Sequence, residues 1–391
     1  MFNDLKVAFE DKSDRDLNRA YILFKTISNP LISKTLTICL RIGIWMRLPI
    51  QSIIKATVYK HFCGGTTIEN SKKIIDKLWM SNIGTILDFS AEGKESEIDF
   101  NNVMKETIES LHKAKKTQKI PFSVFKPSGL ARFKILEKIS VGTKLSTEEQ
   151  KEKIAFEKRV EYICEISSQN KVPIFIDAEE SWIQNAIDNI ALKMMRKFNK
   201  QQSWVFNTIQ FYRKDRITYL QDLLNNAKKN NFLIGIKLVR GAYHEKEIER
   251  AKKMGYPCPV HKIKQNTDND YNRALEICIK NIDSISICAG THNEESSRLL
   301  INLLKKYNIS KNDQRVYFSQ LLGMSDHISY NAAKQGFNVA KYVPYGPIKD
   351  VLPYLIRRAE ENTAISGQMG RELSNIIAEQ KRRKNIKKGK S

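Results

Sequence analysis

The feature that most constrains the fold of this chain is a regular alternation of short apolar, β-branched runs with longer amphipathic stretches. Eight runs have the length and composition of strands, and they lie at residues 84–89, 121–126, 172–177, 204–210, 233–240, 284–291, 316–321 and 338–343. Between them, apolar residues recur with a helical period, as in 100–116 and 182–197. Eight strands that are each followed by a helix predict an α/β fold, a (β/α)8 TIM-type barrel. A doubly wound open sheet, which needs fewer strands, is the second choice.

Two flanking segments lie outside this alternation. Residues 1–80 predict an N-terminal helical extension, the barrel then occupies 81–378, and 379–391 form a separate tail. Within the extension, residues 31–62 combine apolar side chains, a tryptophan and scattered lysines and arginines, which suits an interfacial helix as well as a helix packed on its own protein. The tail is dense in like charge and poor in apolar residues, which predicts disorder.

Charge and composition limit the classes of partner. The 391 residues include 66 Lys and Arg against 43 Asp and Glu, so the net charge is +23. This excess predicts an anionic partner, such as a membrane face, a nucleic acid or an acidic ligand. The six cysteines include no C-x-x-C pair, which favours reduced thiols in a cytosolic setting over a metal or disulfide framework. No signal peptide and no membrane-spanning apolar run is evident in the sequence.

Polar side chains recur where the predicted strands end, and a barrel brings these ends to one mouth. Each of these side chains alone is more often a rim charge, but together they predict a polar pocket with donors and acceptors. After the eighth strand, turn-forming residues lead into a helix that carries Arg357 and Arg358 side by side. Paired guanidinium groups suit a small carboxylate, although two solvated charges are the commoner outcome on chemistry alone. The strand-end residues are Asp88, Lys126, Asp177, Gln210, Lys237, Thr291, His292, Gln320 and Tyr342.

Several sequence blocks resemble the proline dehydrogenase family. They are FIDAEE at 175–180, KLVRGAYHEKE at 237–247, THN at 291–293, YFSQLLGMSD at 317–326, KYVPYGP at 341–347 and PYLIRRAEEN at 353–362. The likeness is closer to the mitochondrial-type, single-function enzymes than to the bifunctional bacterial fusions. It implies FAD bound in the barrel mouth without a G-x-G-x-x-G motif, and oxidation of L-proline to 1-pyrroline-5-carboxylate, the first step of proline catabolism. It also implies a quinone as the electron acceptor.

The same resemblance assigns roles to individual residues. Asp177 and Lys237 would be catalytic. The substrate would be held by Arg357, Arg358 and Lys126 on its carboxylate, by Tyr342 on its ring, and by Glu361, which would orient the guanidinium groups. FAD would be held by Gln210, Lys237, Arg240, Gly241, Ala242, Tyr243, Thr291, His292, Asn293 and Gln320. No metal site is expected.

Two alternatives remain beside this interpretation. Hydroxyproline dehydrogenase uses the same chemistry, but the bulky phenol of Tyr342 leaves little room for an added hydroxyl. A non-catalytic barrel that binds lipid or nucleic acid would have no need for the polar set at the strand ends. A quinone partner gives residues 31–62 and the basic tail a role at an anionic membrane. The expected location is therefore cytoplasmic and peripheral to the inner membrane in a bacterium, or mitochondrial in a eukaryote, with no specific nucleic acid.

Overall fold

The computed structural model describes residues 1–27, 54–364 and 366–388, and the side chains at 56 and 359–369 are outside the description. Within these residues, eight parallel strands close into a barrel in sequence order. The predicted (β/α)8 fold is confirmed, and each predicted run coincides with its strand to within two residues. The strands are β1 (Ile83–Phe89), β2 (Phe122–Phe125), β3 (Ile174–Ile176), β4 (Val205–Gln210), β5 (Ile234–Val239), β6 (Ile285–Gly290), β7 (Val316–Leu321) and β8 (Val339–Tyr345).

Helices connect the strands and surround the barrel. The N-terminal extension contains α1 (Leu5–Ala8), α2 (Asp14–Ile27), a π-helical turn (Lys55–Tyr59), α3 (Lys60–Phe62) and α4 (Lys72–Trp79). The barrel helices are α5 (Glu97–Lys115), α6 (Phe133–Val141), α7 (Thr147–Asn170), α8 (Ser181–Phe198), α9 (Arg216–Asn230), α10 (His244–Met254), α11 (Lys264–Lys280), α12 (Glu294–Lys306) and α13 (Asp326–Lys334). After β8 come α14 (Ile348–Ala364) and α15 (Ser366–Lys388).

Residues 31–62, which suit either an interfacial helix or a helix packed on its own protein, lie mostly outside the described residues. The described end of this segment is helical and packs onto the barrel, because Tyr59 donates a hydrogen bond of 2.9 Å to the carbonyl of Gly346. Among the described helices, none combines the length and apolarity that crossing a bilayer requires.

The basic C-terminal segment differs from the prediction of disorder. It belongs to α15, which continues to Lys388 and packs on α2. Glu379 accepts hydrogen bonds from Arg382 and Arg383 at 2.6 and 2.7 Å, and Arg383 also donates to the carbonyl of Lys12 at 2.9 Å. These pairs, three and four residues apart on one helix, offset the repulsion between like charges that the prediction relied on.

Successive side chains along β8 point alternately into the barrel interior and towards the surrounding helices. Tyr342 faces the interior, where it joins a cluster with Phe122, Phe175 and Phe206. The neighbouring Lys341 is fully buried on the other side of the strand, 2.8 Å from Asp326 at the start of α13. Outside the barrel, the apolar faces of the helices and strands form one continuous core. Burial of each large apolar side chain in such a core stabilises the fold by roughly 1.5–3 kcal/mol.

Candidate active site

The centre of the barrel mouth is a chain of alternating charges that links four strands. The Nζ of Lys126 lies 2.9 and 3.0 Å from the two carboxylate oxygens of Asp88, and 3.6 Å from Oδ2 of Asp177. Asp177 is also paired with Lys237, and its two oxygens accept hydrogen bonds of 3.0 and 2.9 Å from the Tyr342 hydroxyl. Lys237 in turn donates to the Tyr342 hydroxyl at 3.0 Å. Two lysines and two aspartates therefore balance one another in a buried cluster.

The two carboxylates of this cluster differ in their titration. Burial raises the pKa of Asp88 above its usual value, despite its contact with Lys126. Burial acts in the same direction at Asp177, but the charges of Lys237 and Lys126 outweigh it and lower the pKa. Asp177 is thus held as a carboxylate, while Asp88 is the member of the pair that takes up a proton more readily.

Aromatic side chains form the floor beneath these charges. The rings of Phe122 and Phe175 are stacked with centroids 4.5 Å apart, and Phe206 and Tyr317 meet Phe122 edge-on at 5.5 and 4.8 Å. The Nζ of Lys237 lies 5.2 Å from the centroid of Phe175. These rings lie nearer the amino ends of their strands than the charges do, so the charged cluster is on the mouth side of the aromatic layer.

The two arginines of helix α14 have different partners from each other. Arg357 donates a hydrogen bond of 2.6 Å to Glu92, which lies in the loop after β1, and its guanidinium is 5.7 Å from the ring centroid of Tyr243. Arg358 is buried, with its guanidinium 5.3 Å from the ring centroid of Tyr354. The side chain of Glu361, predicted to orient both, is outside the described residues. Neither arginine is a simple solvated charge on the helix surface.

A second polar group lies where β5 and β6 end. Arg240 donates to Asp268 at 2.6 Å, to the Thr291 hydroxyl at 2.6 Å and to the Ser296 hydroxyl at 2.9 Å. Asn293 caps α12 by accepting the amide of Ser296 at 3.0 Å. A guanidinium next to a helix N-terminus produces a positive potential that suits phosphate groups.

Just after β5, the chain backbone lies against an aromatic ring. Gly241 has φ of +142°, and a Cβ at this position would lie 2.5 Å from the ring of Tyr212. Only glycine fits this close approach. Ala242 is exposed and Tyr243 is half-buried beside Arg357, so the chain after β5 forms one wall of the mouth.

The remaining predicted cofactor residues are held by neighbouring backbone and side-chain groups. Gln210 donates to the carbonyl of Glu179 at 2.7 Å, and Gln320 donates to the carbonyl of Thr291 at 3.1 Å. His292 shares a hydrogen bond of 3.0 Å between its Nδ1 and the Ser325 hydroxyl. Each of these contacts fixes a side chain at the carboxyl end of a strand.

The structure thus brings several of the predicted residues together in two groups, one around Asp177 and one around Arg240. Gln210, Arg357 and Arg358 have other partners. Sequence reasoning noted Asp88 only as a strand end and gave no role to Glu92. Glu179 also received no role; it accepts the Ser128 amide at 2.8 Å, and burial raises its pKa to about 8. The position of Asp88 at the end of β1 was the available signal, whereas nothing in the loop sequence marked Glu92 as the partner of Arg357.

The sequence and the fold of this chain are similar to those of known proteins. The family model described as Proline dehydrogenase matches residues 71–371. A relative from Pectobacterium carotovorum subsp. carotovorum, named carbapenem antibiotics biosynthesis protein CarD, is 32% identical over 95% of this chain and 96% of its own length. The mitochondrial proline dehydrogenase 1 of Dictyostelium discoideum is 31% identical over 97% of this chain and 74% of its own length.

A solved structure shares the fold. The proline utilization A (PutA) protein of Bdellovibrio bacteriovorus, solved after inactivation by N-propargylglycine, superposes with a TM-score of 0.72 at 19% identity. The match covers 91% of this chain and 38% of the PutA chain, so this chain spans little more than a third of that protein.

Proposed function

The chain belongs to the proline dehydrogenase family, and from this premise we propose that it oxidises L-proline to 1-pyrroline-5-carboxylate with FAD as the hydride acceptor. A quinone is proposed as the final electron acceptor. The arrangement of charges carries the proposal: a balanced cluster around Asp177 lies in the barrel mouth, and α14 adds Arg357 and Arg358 as further cations. A zwitterionic amino acid needs both features.

The residues around the mouth fit a flavin. Pyrophosphate requires cations and hydroxyl or amide donors, and Arg240, Thr291 and the capped N-terminus of α12 supply them. Gly241 lies against the ring of Tyr212, and this contact fixes the backbone that forms the wall of the mouth beside the proposed flavin site. We assign the pyrophosphate to the Arg240 group and the flavin ring to the Lys237 side of the mouth, with Gln210, Ala242, Tyr243, His292, Asn293 and Gln320 completing the set.

When bound, FAD supplies the acceptor for the hydride that leaves the substrate carbon next to nitrogen. The protein supplies orientation. Arg357 and Arg358 bind the proline carboxylate, with Lys126 as a third cation, because guanidinium forks match carboxylate oxygens. Tyr342 packs against the pyrrolidine ring, and its hydroxyl stays fixed by Asp177 and Lys237.

The protonation state of Asp177 determines which protonation state of the substrate amine can react. Since the neighbouring lysines lower its pKa, Asp177 remains a carboxylate and can accept an N–H from the substrate amine. A carboxylate of low pKa is a poor base towards an ammonium group. Proline must therefore react as the neutral amine, and activity rises with pH above neutrality.

A membrane contact follows from the proposed quinone. The outer face of α15 carries exposed Lys381, Lys384, Lys387 and Lys388, and each basic group near an anionic surface contributes roughly 1 kcal/mol. We propose peripheral binding through this helix. Removal of residues 381–391 should then weaken binding to anionic liposomes, and unchanged binding would exclude the helix as the contact.

The test of the proposed function is to add proline to purified, flavin-loaded protein and follow the flavin absorbance near neutral pH. We expect the absorbance to bleach, and we expect Arg357→Met to keep the flavin but lose bleaching at the same proline concentration. Lys349→Met, at an exposed lysine on the same helix, is the control and should bleach like the unmodified protein. A colourless protein, or bleaching by hydroxyproline alone, would contradict the proposal.

The relative named for carbapenem biosynthesis supports a second candidate, because it matches nearly the whole of both chains. The same oxidation would then supply an antibiotic route rather than proline catabolism. The two candidates differ in the cell: a strain without this protein should lose growth on proline as the sole nitrogen source only if the role is catabolic.

A further inference from the structure

The short loop between β7 and α13, residues 322–325, is held by distant parts of the chain. The Nε2 of His61, in the N-terminal extension, lies 3.0 Å from the Gly323 carbonyl oxygen. Gly323 has φ of +77°, and a Cβ there would lie 2.6 Å from the His61 carbonyl oxygen, so the two segments are in close contact. The Nζ of Lys341, in β8, donates to the Met324 carbonyl. The extension and the last strand therefore both fix the backbone of this loop.

Ser325, the last residue of the loop, has a strained backbone. Its φ of +52° and ψ of +40° are left-handed, which is uncommon for a serine. Such a conformation persists only where the surroundings hold it, and here Glu372 of α15 accepts a hydrogen bond from the Ser325 amide. The Ser325 hydroxyl oxygen lies 3.0 Å from Nδ1 of His292, just after β6. The conformation of this one residue therefore decides where its hydroxyl meets the histidine.

Asp326, the next residue, is where the N-terminal extension reaches this turn with a charge. Its two carboxylate oxygens bind different lysines: Oδ1 lies 2.8 Å from Nζ of the fully buried Lys341, and Oδ2 lies 3.3 Å from Nζ of Lys12. Asp326 is only 6% exposed, and charges attract each other more strongly where water is excluded. Lys12 thus holds one side of the carboxylate that follows Ser325.

We propose that Lys12 is a positioning residue for the cofactor site, because its ion pair with Asp326 keeps Ser325 in the conformation that brings the hydroxyl to His292. The proposal rests on the proposed function, which places His292 at the flavin. Lys12 lies between α1 and α2, so the N-terminal extension sets the orientation of a side chain in the barrel mouth.

The charges that remain should allow Lys12 to be replaced without loss of the fold. In Lys12→Met, Asp326 keeps Lys341, and Asp11, the other carboxylate next to Lys12, keeps Lys77 at 3.2 Å. Neither carboxylate is left alone, which is the change that costs most when an ion pair is buried. The second hold on Asp326 is lost, so the backbone at Ser325 can relax out of its left-handed conformation.

Lys77→Met is the matched control for this substitution. Lys12 and Lys77 both lie 3.2 Å from the same oxygen of Asp11, Oδ2, so each replacement removes one cation from that carboxylate. Of the two lysines, Lys12 is the one that pairs with Asp326. Lys12→Arg is the conservative variant, because it keeps a positive charge between Asp11 and Asp326.

Nitrogen-15 NMR of histidine-labelled full-length protein tests the proposal without substrate or added FAD. The His292 signals are assigned by their loss in His292→Gln. Lys12→Met should shift the ring-nitrogen signals of His292, Lys12→Arg should return them towards those of the unmodified protein, and Lys77→Met should leave them unchanged. Ser325→Gly tolerates the left-handed backbone but lacks the hydroxyl. In that background Lys12→Met should cause no further shift, because the group that transmits the effect is absent.

Affinity for FAD gives a second measurement. Lys12→Met should raise the FAD dissociation constant about three- to tenfold, the size expected when one hydrogen bond to a ligand is weakened. Lys12→Arg and Lys77→Met should change it less than about twofold. A purely structural role of Lys12 would lower the free energy of unfolding and leave both the His292 signals and the dissociation constant of the folded protein unchanged.

The proposal is overturned if the His292 signals of Lys12→Met coincide with those of the unmodified protein, if Lys77→Met shifts them equally, or if the shift persists in the Ser325→Gly background. An unchanged dissociation constant in Lys12→Met contradicts the link to the cofactor. If Lys12→Met does not fold, Lys12→Gln, which removes the charge but keeps a hydrogen-bond donor, takes its place with the same expectations. If the protein binds no FAD, the proposed function fails, whereas the NMR signals still decide whether Lys12 positions His292.

Discussion

Arg357 and Glu92 form an ion pair across the barrel mouth, with 2.6 Å between Nη1 of Arg357 and Oε1 of Glu92. Burial favours the neutral form of Glu92, but the charges of Arg357 and Lys126 outweigh it and lower the pKa. The loop after β1 is tied to the same helix a second time, because Lys94 donates to Asp350 at 2.9 Å. A carboxylate of the chain therefore occupies and orients the guanidinium that we assign to the substrate carboxylate.

Glu92→Gln tests this orientation. The amide oxygen can still accept a hydrogen bond from Arg357, but the charge is lost, so the guanidinium is held less firmly. We expect the KM for proline to rise about three- to tenfold, corresponding to ~1 kcal/mol, with kcat little changed. Steady-state kinetics measure both values. Glu95→Gln, at the exposed neighbouring glutamate, should leave the KM unchanged, and an unaltered KM in Glu92→Gln would exclude this role for the ion pair.

Tyr342→Phe removes one hydroxyl from the charge cluster and keeps the ring. The hydroxyl donates to Asp177 at 2.9 Å and accepts from Lys237 at 3.0 Å, so both charged groups lose a hydrogen bond that fixes them. Hydrogen bonds to charged groups contribute about 1.5–3 kcal/mol, so we expect kcat/KM to fall roughly 10- to 100-fold. Tyr317→Phe, whose hydroxyl binds Gln314 on the other side of the aromatic floor, is the control and should retain activity. Similar losses in both variants would mean that the effect comes from the barrel core.

The fold could be predicted from the sequence because the barrel repeats one pattern eight times. The period of the apolar residues marks each strand, and parallel strands place their ends at one mouth, which places Asp177 and Lys237 there. Their catalytic roles came from the family resemblance. An ion pair between residues on opposite sides of the mouth leaves no comparable periodic pattern in the sequence. Glu92 meets Arg357 only because the loop after β1 lies beside α14, a contact that joins residues far apart in the sequence.

The C-terminal helix shows a second limit of local reasoning. The like charges after Glu379 predicted disorder, yet Arg383 binds Glu379, Asp14 and the carbonyls of Phe9 and Lys12. The local composition shows the repulsion among these basic side chains. It does not show the partners that offset this repulsion, because most of them lie at the N-terminal end of the chain. Local reasoning also could not predict that Lys341 is buried as an ion pair. A lysine in a strand gives no sign that Asp326 is buried beside it.

The buried pair of Lys237 and Asp177 should show strong energetic coupling. Lys237→Met leaves the Asp177 charge buried with weaker partners, which costs about 3 kcal/mol in the free energy of unfolding. Asp177→Asn leaves Lys237 in the same position, so the double variant should be about 2 kcal/mol more stable than the sum of the single effects predicts. Urea unfolding of protein freed of cofactor measures the cycle. The exposed pair Lys193 and Glu157 is the control, with an expected coupling below ~1 kcal/mol.

The buried His61 makes the free energy of unfolding depend on pH. Its ring packs edge-on against Phe24 and Phe62, its Nε2 lies 3.0 Å from the carbonyl of Gly323, and burial lowers its pKa from 6.5 to about 4. Between pH 6.5 and 4 the unfolded chain binds a proton at this residue that the folded protein does not. Stability contributed by the neutral ring is therefore present above pH 6.5 and is lost as the pH falls.

His61→Phe keeps a flat ring between the same aromatic neighbours and removes the titration. We expect the free energy of unfolding to depend less steeply on pH between 4 and 6.5, by up to about 1.4 kcal/mol per pH unit. Urea unfolding at half-unit pH intervals gives both slopes. His112→Phe, at an exposed histidine in the last turn of α5 whose Nδ1 lies 3.3 Å from the Asn170 amide nitrogen, is the control and should leave the slope unchanged. Parallel curves for His61→Phe and the unmodified protein would show that the His61 ring takes up its proton equally in both states.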